Sequence, residues 1–461
     1  MRSSNFVVLG LLWCGACATA PAAVALQPSA TVQTQPNDEP AKAERLETNA
    51  PPVAPVPTLA PVKPAAPAPT PPPPPRTAAK PSTPAPMPPD TLATDLLTAS
   101  PSAMIKQMLA EPQKYRFQVL YTPVRDGHLE RHGFRTDAEY FFPASSMKLP
   151  IALAMYDRLA KLRDEGNPAA AAYSRKATAR IHPTSGSGGP YPTTLENETW
   201  RAIVVSDNSS ANRLLGIVGH REAHETLWAD GIATARINTG FDTGAKIDPA
   251  ELSPRVELEL ADAKAEIAAR KSTLVLPATK ATGLDIGKGN IVDGRLVNAP
   301  LSFAKKNAIA MRELQDVMVR VMRPELLPTN SVADTLSADD RAFLQEALGT
   351  LPSGSGIAGF DRNVVIDYQY SPFLRGVERV RDRKQFHIYA KIGQAYGFIV
   401  ANAYVIDTDT KRGFFLVASV YANPSEILNS DAYAYDSVSL PVLADVAEIF
   451  ARHAFERDGA H

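Results

Sequence analysis

One stretch decides the fold and the chemistry predicted for this chain: Phe141-Phe142-Pro143-Ala144-Ser145-Ser146-Met147-Lys148-Leu149-Pro150. Here an extended, aromatic segment gives way to the apolar pattern of a helix that continues to about residue 159. Lys148 follows Ser145 by a little less than one helical turn, so its amine returns to the face that carries the serine. The spacing therefore predicts a serine nucleophile with a lysine base at the start of a helix.

The composition divides the 461 residues into unequal parts. The formal net charge is −1, so no broad basic surface indicates nucleic-acid binding. About half of the 41 prolines precede residue 92, and residues 18–92 lack the apolar periodicity that a core requires. We interpret residues 18–92 as a Pro/Ala-rich disordered linker and residues 93–461 as one folded domain.

Residues 1–17 are typical of an export signal, with a positive start, an apolar run at 6–13 and small residues before Cys17. The run is too short to span a bilayer. Cys17 is similar to a bacterial lipoprotein processing site, which would anchor the protein to a membrane; cleavage near Ala18 or Ala20 is the alternative. Cys14 and Cys17 are the two cysteines, so the folded part has no thiol for a disulfide or a zinc site. We expect a periplasmic protein, either free or lipid-anchored.

The order of predicted elements favours an α+β fold. Two strands (115–121 and 129–135) precede the Ser145 helix, a mostly helical middle follows it, and three strands (385–390, 397–406 and 414–421) precede a last helix at 441–455. Residues 253–270 are predicted as a charged amphipathic helix. This order predicts an antiparallel sheet flanked by helices, plus a helical lobe.

Two further motifs follow the first one in the chain: Ser206-Asp207-Asn208 at a predicted helix junction, and Lys391-Ile392-Gly393 at the end of a predicted strand. Together with Ser145-Ser146-Met147-Lys148 they resemble the active site of class A β-lactamases and the related penicillin-binding proteins, whose pattern is Ser-x-x-Lys, Ser-Asp-Asn and Lys-Thr-Gly. The resemblance covers most of residues 93–461. Each motif alone is weak, since Ser302 and Lys305 repeat the first spacing and Lys411-Arg412-Gly413 repeats the last.

The resemblance implies a role for each matching residue. Ser145 would attack an acyl carbon after Lys148 takes its proton, which requires burial or nearby positive charge to lower the pKa of the lysine. Ser206 would relay a proton to the leaving nitrogen, and Lys391 would supply positive charge and attract a substrate carboxylate. Substrate binding would fall to Asn208, Gly393 and Gln394, with the backbone N–H groups of Ser145 and Gln394 as an oxyanion hole.

This sequence departs from the family pattern at two points. Ile392 replaces the hydroxyl residue of Lys-Thr-Gly, which removes a donor for a substrate carboxylate. The Glu-x-x-Leu-Asn string that supplies the deacylating glutamate of class A β-lactamases is absent, and Glu251 is the nearest candidate. The substrate is therefore expected to be a β-lactam or a peptidoglycan-like amide.

The sequence leaves other interpretations open. A D,D-peptidase or esterase on the same scaffold is one alternative, and a catalytically silent cell-wall-binding domain is another. His128 and His132, and again His220 and His224, stand four apart as helical metal ligands can, but neither pair has the glutamate of His-Glu-x-x-His. We predict no metal and no organic cofactor.

Overall fold

The computed structural model describes residues 90–456 except 126, 166–168, 185–187, 242–251, 328–334 and 361–363, with only the backbone of 364 and 365. The described residues all belong to one compact unit. The predicted signal peptide, nearly all of the predicted linker, and Glu251 lie outside the described residues.

The helix predicted after Ser145 and the last helix predicted at 441–455 are both present, whereas the helix predicted at 253–270 is not, as described below. They are α1 (Leu92–Thr98), α2 (Ala103–Ala110), α3 (Lys148–Asp164), α4 (Leu195–Val204), α5 (Asn208–Val218), α6 (His220–Ala229), α7 (Met311–Met322), α8 (Ala338–Gly349), α9 (Val364–Tyr370), α10 (Leu374–Glu378) and α11 (Leu440–Glu456). None of these helices in the described part of the chain combines the length and the apolar character of a bilayer-spanning segment.

The strands form one large sheet and several small ones. They are β1 (Gln118–Arg125), β2 (His128–Leu129), β3 (His132–Phe134), β4 (Thr178–Ile181), β5 (Tyr191–Thr194), β6 (Leu252–Ser253), β7 (Val256–Leu260), β8 (Ala263–Ile267), β9 (Arg270–Lys271), β10 (Asp285–Ile286), β11 (Gly289–Val292), β12 (Arg295–Val297), β13 (Leu301–Ser302), β14 (Phe386–Ala395), β15 (Phe398–Asp407), β16 (Gly413–Tyr421) and β17 (Ile427–Leu428).

The large sheet is antiparallel and has the order β14-β15-β16-β1-β2, with β3 also paired to β1. Strand β16 is buried along its whole length, because both faces of the sheet are covered. One core joins the sheet to α3, α5, α6 and α7, and a second core joins its other face to α1, α2, α10 and α11. The predicted α+β fold, with helices on both faces of an antiparallel sheet and a helical lobe, is confirmed.

The helix that follows Ser145 is the buried centre of the lobe. A 3-10 turn at Ala144–Met147 leads directly into α3, and most of the side chains in α3 are buried. Its first half needs no polar face, which explains why residues 149–156 are apolar on every side. Its start is therefore fixed by packing against the sheet, and Ser145 is fixed with it.

The helix predicted at 253–270 is wrong. These residues form the hairpin β7–β8, in which Leu260 pairs with Ala263 across a two-residue turn, and β7 pairs with β4. Ala261 in the turn has a positive φ of 51°. Turns of this kind usually contain Gly or Asn, and neither residue stands here to indicate a hairpin. Ala, Glu and Leu favour helices, but pairing with a strand some 75 residues earlier in the chain overrides that local preference.

Candidate active site

The turn that carries Ser145 is stabilised by its own neighbours. Ser146 donates hydrogen bonds from its amide (3.0 Å) and from its hydroxyl (2.6 Å) to the carbonyl of Pro143, and Ala144 has a positive φ of 45°. Ser145 itself is half-buried, and its Oγ makes no hydrogen bond within the part of the chain that the structure describes. The turn therefore presents an accessible hydroxyl on a fixed backbone.

Gly393 packs against this turn from strand β14. A Cβ at position 393 would lie 2.0 Å from the carbonyl oxygen of Pro143 and 2.9 Å from the amide nitrogen of Ser145. These distances are far below van der Waals contact, so position 393 requires glycine. The third motif thus has a structural reason for its glycine, namely the close approach of β14 to the serine turn.

Lys148 is fully buried and points at the second motif rather than at solvent. Its Nζ donates to the carbonyl and to the Oγ of Ser206, the latter at 3.2 Å, and to Oδ1 of Asn208 at 2.6 Å. These bonds join the first and second motifs. The oxygen acceptors fix the position of this buried amine next to the Ser206 hydroxyl.

Lys391 approaches the same hydroxyl from the sheet. It is also buried, and its Nζ donates to Ser206 Oγ at 2.9 Å and to the carbonyl of Ile392 at 3.1 Å. Burial lowers the pKa of Lys391 to about 7. Ser206 adopts a positive φ of 56°, which is uncommon for a serine. The Ser206 hydroxyl therefore lies between two buried amines, one on each side of the cleft.

The middle residue of Ser206-Asp207-Asn208 is structural. Asp207 caps α5, with its Oδ1 accepting from the Ser210 amide at 2.6 Å, and its own amide donates to Arg201 O at 3.0 Å. Burial opposes ionisation of this carboxyl, but the hydrogen bonds from Ser210 outweigh it and lower the pKa of Asp207. The cap turns the backbone so that Ser206 and Asn208 both face Lys148.

Strand β14 is an edge strand, and its register determines which backbone groups face outward. The amide of Thr408 donates to the carbonyl of Gln385 at 2.8 Å. In this register the odd-numbered residues of β14 direct both their backbone N–H and their C=O at β15, and the even-numbered residues direct theirs at the free edge. The unbroken register carries this alternation to Gln394, whose N–H points to the edge. The Ile392 carbonyl points the same way and accepts the bond from Lys391.

Two residues that the sequence did not single out complete the lobe side of the site. The ring of Phe241 lies 5.0 Å from Lys148 Nζ, measured to its centroid. Asn212 fixes this position, because its side chain accepts from the Phe241 amide (2.8 Å) and donates to the Phe241 carbonyl (2.7 Å). Asn212 stands one helical turn after Asn208, a spacing that could have indicated it. Phe241 carried no such signal, since a distant loop brings it in.

The second Ser-x-x-Lys string and the second Lys-x-Gly string lie away from this cluster. Ser302 and Lys305 are exposed, and Lys411 lies in the turn between β15 and β16. Among the described residues, none of these three joins the cluster around Ser206.

The four histidines do not share a site, and three of them bond other protein groups. His224 is buried, its Nδ1 bonds the carbonyl of His220 (2.7 Å), and its Nε2 accepts from the Ile237 amide (2.9 Å). Burial lowers the pKa of His224 to about 3, so it is neutral. His128 is exposed on β2, and His132 on β3 bonds the carboxylate of Asp90. Within the described ranges, no group of acidic, histidine or cysteine side chains is placed to hold a metal ion.

The comparison with protein families decides the relationship. The sequence profile of the Beta-lactamase enzyme family matches residues 101–337, just over half of the chain. The chain belongs to the beta-lactamase enzyme family. The predicted resemblance is thereby confirmed, and the family and the fold support a β-lactamase-like hydrolase.

This β-lactamase-family protein is also similar to solved structures. The chromosome-encoded β-lactamase of Vibrio parahaemolyticus is 14% identical, with 77% of this chain and 100% of that chain covered and a TM-score of 0.44. A β-lactamase from Burkholderia vietnamiensis is 12% identical (78% and 99% covered, TM-score 0.43), and a mutant of PBP-A in an acyl-enzyme complex with penicillin G is 12% identical (79% and 97%, TM-score 0.44). No curated protein sequence matches the chain.

One predicted departure from the family pattern has a clear structural setting. Ile392 is buried in the core on the α11 side of the sheet, so its side chain packs against the C-terminal helices. A β-lactamase-family protein with isoleucine here offers no side-chain hydroxyl at this position. The other departure, the candidate base Glu251, lies outside the described residues.

Proposed function

We propose that this protein is a serine hydrolase of the class A β-lactamase type, acylated at Ser145 by a β-lactam or a related amide. The observation that carries the proposal is the convergence of Lys148 and Lys391 on the hydroxyl of Ser206, beside the turn of Ser145. Two buried amines joined through one hydroxyl provide a path for a proton between nucleophile and leaving group.

The acylation step balances with these groups alone. The oxygen of Ser145 forms a bond to the acyl carbon, the bond from that carbon to the amide nitrogen breaks, and the proton of Ser145 ends on the leaving nitrogen. Lys148 takes the proton in its neutral form, which has a lone pair, and passes a proton to Ser206, whose Oγ is 3.2 Å from Lys148 Nζ. The hydroxyl proton of Ser206 goes to the leaving nitrogen in the same step. The bond from Ser145 to Lys148 would form as substrate binds, because catalytic hydrogen bonds often tighten only in the complex.

Two backbone donors suit the developing oxyanion. The amide of Ser145 lies against Gly393, and the next residue, Gln394, has its N–H on the free edge of β14. Losing one such donor typically costs about 3 kcal/mol of barrier. Asn208, held through its Oδ1 by Lys148, has its amide NH₂ left to bind a substrate carbonyl.

Intact-protein mass spectrometry after mixing with benzylpenicillin tests this proposal. The wild type is expected to gain the mass of the penicillin, and Ser145→Ala is expected to gain none. Ser302→Ala is the matched control, because Ser302 has the same spacing to a lysine but lies outside the cluster. An adduct on Ser145→Ala would remove Ser145 as the nucleophile.

The second candidate function is a D,D-peptidase or esterase on the same scaffold. Phe241 beside Lys148 favours it, since this apolar ring takes space on the side of the base where water would approach. The buried Ile392 favours it as well, because a penicillin carboxylate loses a donor there. A persistent penicillin adduct, together with release of D-alanine from a D-alanyl-D-alanine peptide, would decide for the peptidase; a transient adduct supports a β-lactamase.

The third hypothesis is a catalytically silent cell-wall-binding domain. It predicts that the protein binds peptidoglycan but forms no penicillin adduct and turns over no substrate. Export through residues 1–17 and membrane attachment through Cys17 are proposals from the sequence alone. Cell fractionation of the wild type and of Cys17→Ser tests them, since only a lipid-anchored protein moves to the soluble fraction on that substitution.

A further inference from the structure

Lys306 and Tyr396 form a charged corner at the far end of the site. The Nζ of Lys306 donates to the hydroxyl of Tyr396 at 3.3 Å and lies 5.3 Å from the centroid of its ring. The side chain is half-buried, and it makes no ion pair with any residue that the structure describes. A partly buried ammonium whose hydrogen-bond partner is neutral has donors to spare for an anion.

Tyr396 is held in an unusual conformation to build this corner. It occupies the two-residue turn between β14 and β15 with a φ of 54°, followed by Gly397 at 86°. Turns of this kind favour Asn or Gly at the first position, and a bulky residue there is strained. Its ring is fixed by edge-to-face contacts with Phe142 and Phe303, with ring centroids 5.2 Å and 5.4 Å away. Strained residues that the surroundings hold in place are often functional.

The corner is connected to the Ser145 site along two paths. Tyr396 follows Gln394 by two residues, about 7 Å at the rise of a strand. Phe142, which contacts Tyr396, precedes Ser145 by three residues. On the other side, Asn238 donates to the carbonyl of Lys306 at 2.8 Å, which ties the lysine to the segment that carries Phe241.

The direction of the scissile amide determines which part of a bound substrate would lie near Lys306. The leaving nitrogen has to face Ser206, since Ser206 delivers its proton, so the acyl group points away from Ser206 and Lys391. From the oxyanion donors this direction follows β14 towards its end at Tyr396. In this orientation Lys391 lies on the leaving-group side of the substrate, and Lys306 lies on its acyl side.

We propose that Lys306, oriented by Tyr396, is a specificity-determining residue that selects acyl donors with a carboxylate on the acyl side of the scissile amide. The inference rests on the proposed acylation at Ser145 and adds the charge of the preferred substrate. Lys306 touches substrate in this assignment, and Tyr396 acts through Lys306 as a positioning residue.

Three penicillins that differ at one substituent test the assignment. Benzylpenicillin is uncharged on the acyl side, carbenicillin adds a carboxylate at the α-carbon, and ampicillin adds an ammonium there. The measurement is the second-order rate constant of adduct formation by mass spectrometry at low salt. Wild type is expected to prefer carbenicillin, and Lys306→Gln to lose about fivefold of the carbenicillin-to-benzylpenicillin ratio, a typical effect of one ion pair near a surface.

Further variants separate a charge effect from a structural one. Lys306→Glu is expected to reverse the preference in favour of ampicillin, and 0.5 M salt to weaken the preference of the wild type. Lys305→Gln removes the exposed neighbouring lysine and is expected to leave all ratios unchanged. Tyr396→Phe keeps the ring and removes the hydroxyl, so a smaller loss of the ratio is expected.

Equal ratios in wild type, Lys306→Gln and Lys306→Glu would overturn the assignment. Failure of the proposed function looks different, because then no penicillin forms an adduct with the wild type. Calorimetric binding of the three penicillins to Ser145→Ala tests the corner without any acylation. A preference for carbenicillin that disappears in Ser145→Ala/Lys306→Gln supports it, and equal affinities of Ser145→Ala for all three contradict it.

Discussion

The backbone of Gly393 lies so close to Ser145 that a Cβ at 393 would come within 2.9 Å of the Ser145 amide nitrogen. Gly393→Ala must therefore push β14 away from the serine turn, which also separates the two proposed oxyanion donors, the amides of Ser145 and Gln394. We expect acylation by benzylpenicillin to fall about a hundredfold, the usual effect of losing one such donor. We also expect a loss of about 1–3 kcal/mol in the free energy of unfolding.

The matched control for this substitution is Gly354→Ala, at an exposed glycine with no atom within 4 Å of the added Cβ. Urea denaturation and the rate of adduct formation measure both effects. An alanine at 393 that acylates at the wild-type rate would show that β14 does not form the site with Ser145.

Burial of Lys391 predicts a pH dependence of stability. Its pKa of about 7 lies below the ordinary value of 10.5, so between these values the folded state binds fewer protons than the unfolded state. Stability contributed by this group therefore rises as pH increases from 7 to 10.5, by roughly 4 kcal/mol. Lys391→Met is expected to be more stable than the wild type at pH 6, and this difference should shrink towards pH 10.

Urea denaturation at pH 6, 8 and 10 checks the Lys391 prediction, with the exposed Lys384→Met as control. A difference between Lys391→Met and the wild type that stays constant with pH would contradict it. The same variant is expected to lose acylation, since it leaves Ser206 Oγ without the amine on the sheet side.

The sequence predicted the large sheet and the helices around it because their signals are local. The wholly apolar run of β16 and the capped start of α5 at Asp207 each determine their own element. The hairpin β7–β8 was missed for the opposite reason. Val256, Leu258 and Leu260 do alternate with Glu257 and Glu259, but the composition favours a helix, and pairing with β4 depends on distant residues.

The candidate site shows the same division. Ser145, Lys148, Ser206 and Lys391 belong to motifs with fixed spacing, and the fold brings them together. Phe241 and Tyr396 have no motif, because a loop and a turn place them beside residues far away in the chain. Residues that act through tertiary contacts are visible only once those contacts are known.

A buried carboxyl pair in the helical lobe gives a further pH prediction. Asp157 on α3 is buried near Asp230, which pairs with Arg320 at 3.3 Å. Burial, and next the charge of Asp230, raise the pKa of Asp157. The folded state thus holds a proton that the unfolded state releases, so its stability is lost as pH rises above the ordinary aspartate value.

Asp157→Asn is expected to raise the free energy of unfolding at pH 8 and to change it little at pH 4, because an amide needs no proton there. Thermal and urea unfolding at the two pH values measure this, with Asp164→Asn at the exposed end of the same helix as control. If Asp157→Asn destabilises the protein equally at both pH values, Asp157 is an ionised hydrogen-bond acceptor and the prediction is wrong.

The second candidate function, a D,D-peptidase or esterase, predicts a long-lived penicillin acyl-enzyme, and the ring of Phe241, 5.0 Å from Lys148 Nζ, would be its cause. Hydrolysis of the ester needs a water beside the acylated serine, and an apolar side chain on the Lys148 side excludes water from that space. Phe241→Ala is expected to shorten the lifetime of the penicillin adduct severalfold, at a cost of about 3 kcal/mol in stability because the side chain is buried. Phe241→Leu keeps apolar bulk and is the matched control, with a lifetime close to that of the wild type.

Decay of the adduct followed by mass spectrometry after removal of free penicillin separates the cases. Equal lifetimes in wild type and Phe241→Ala would mean that water reaches the ester by another side of the site.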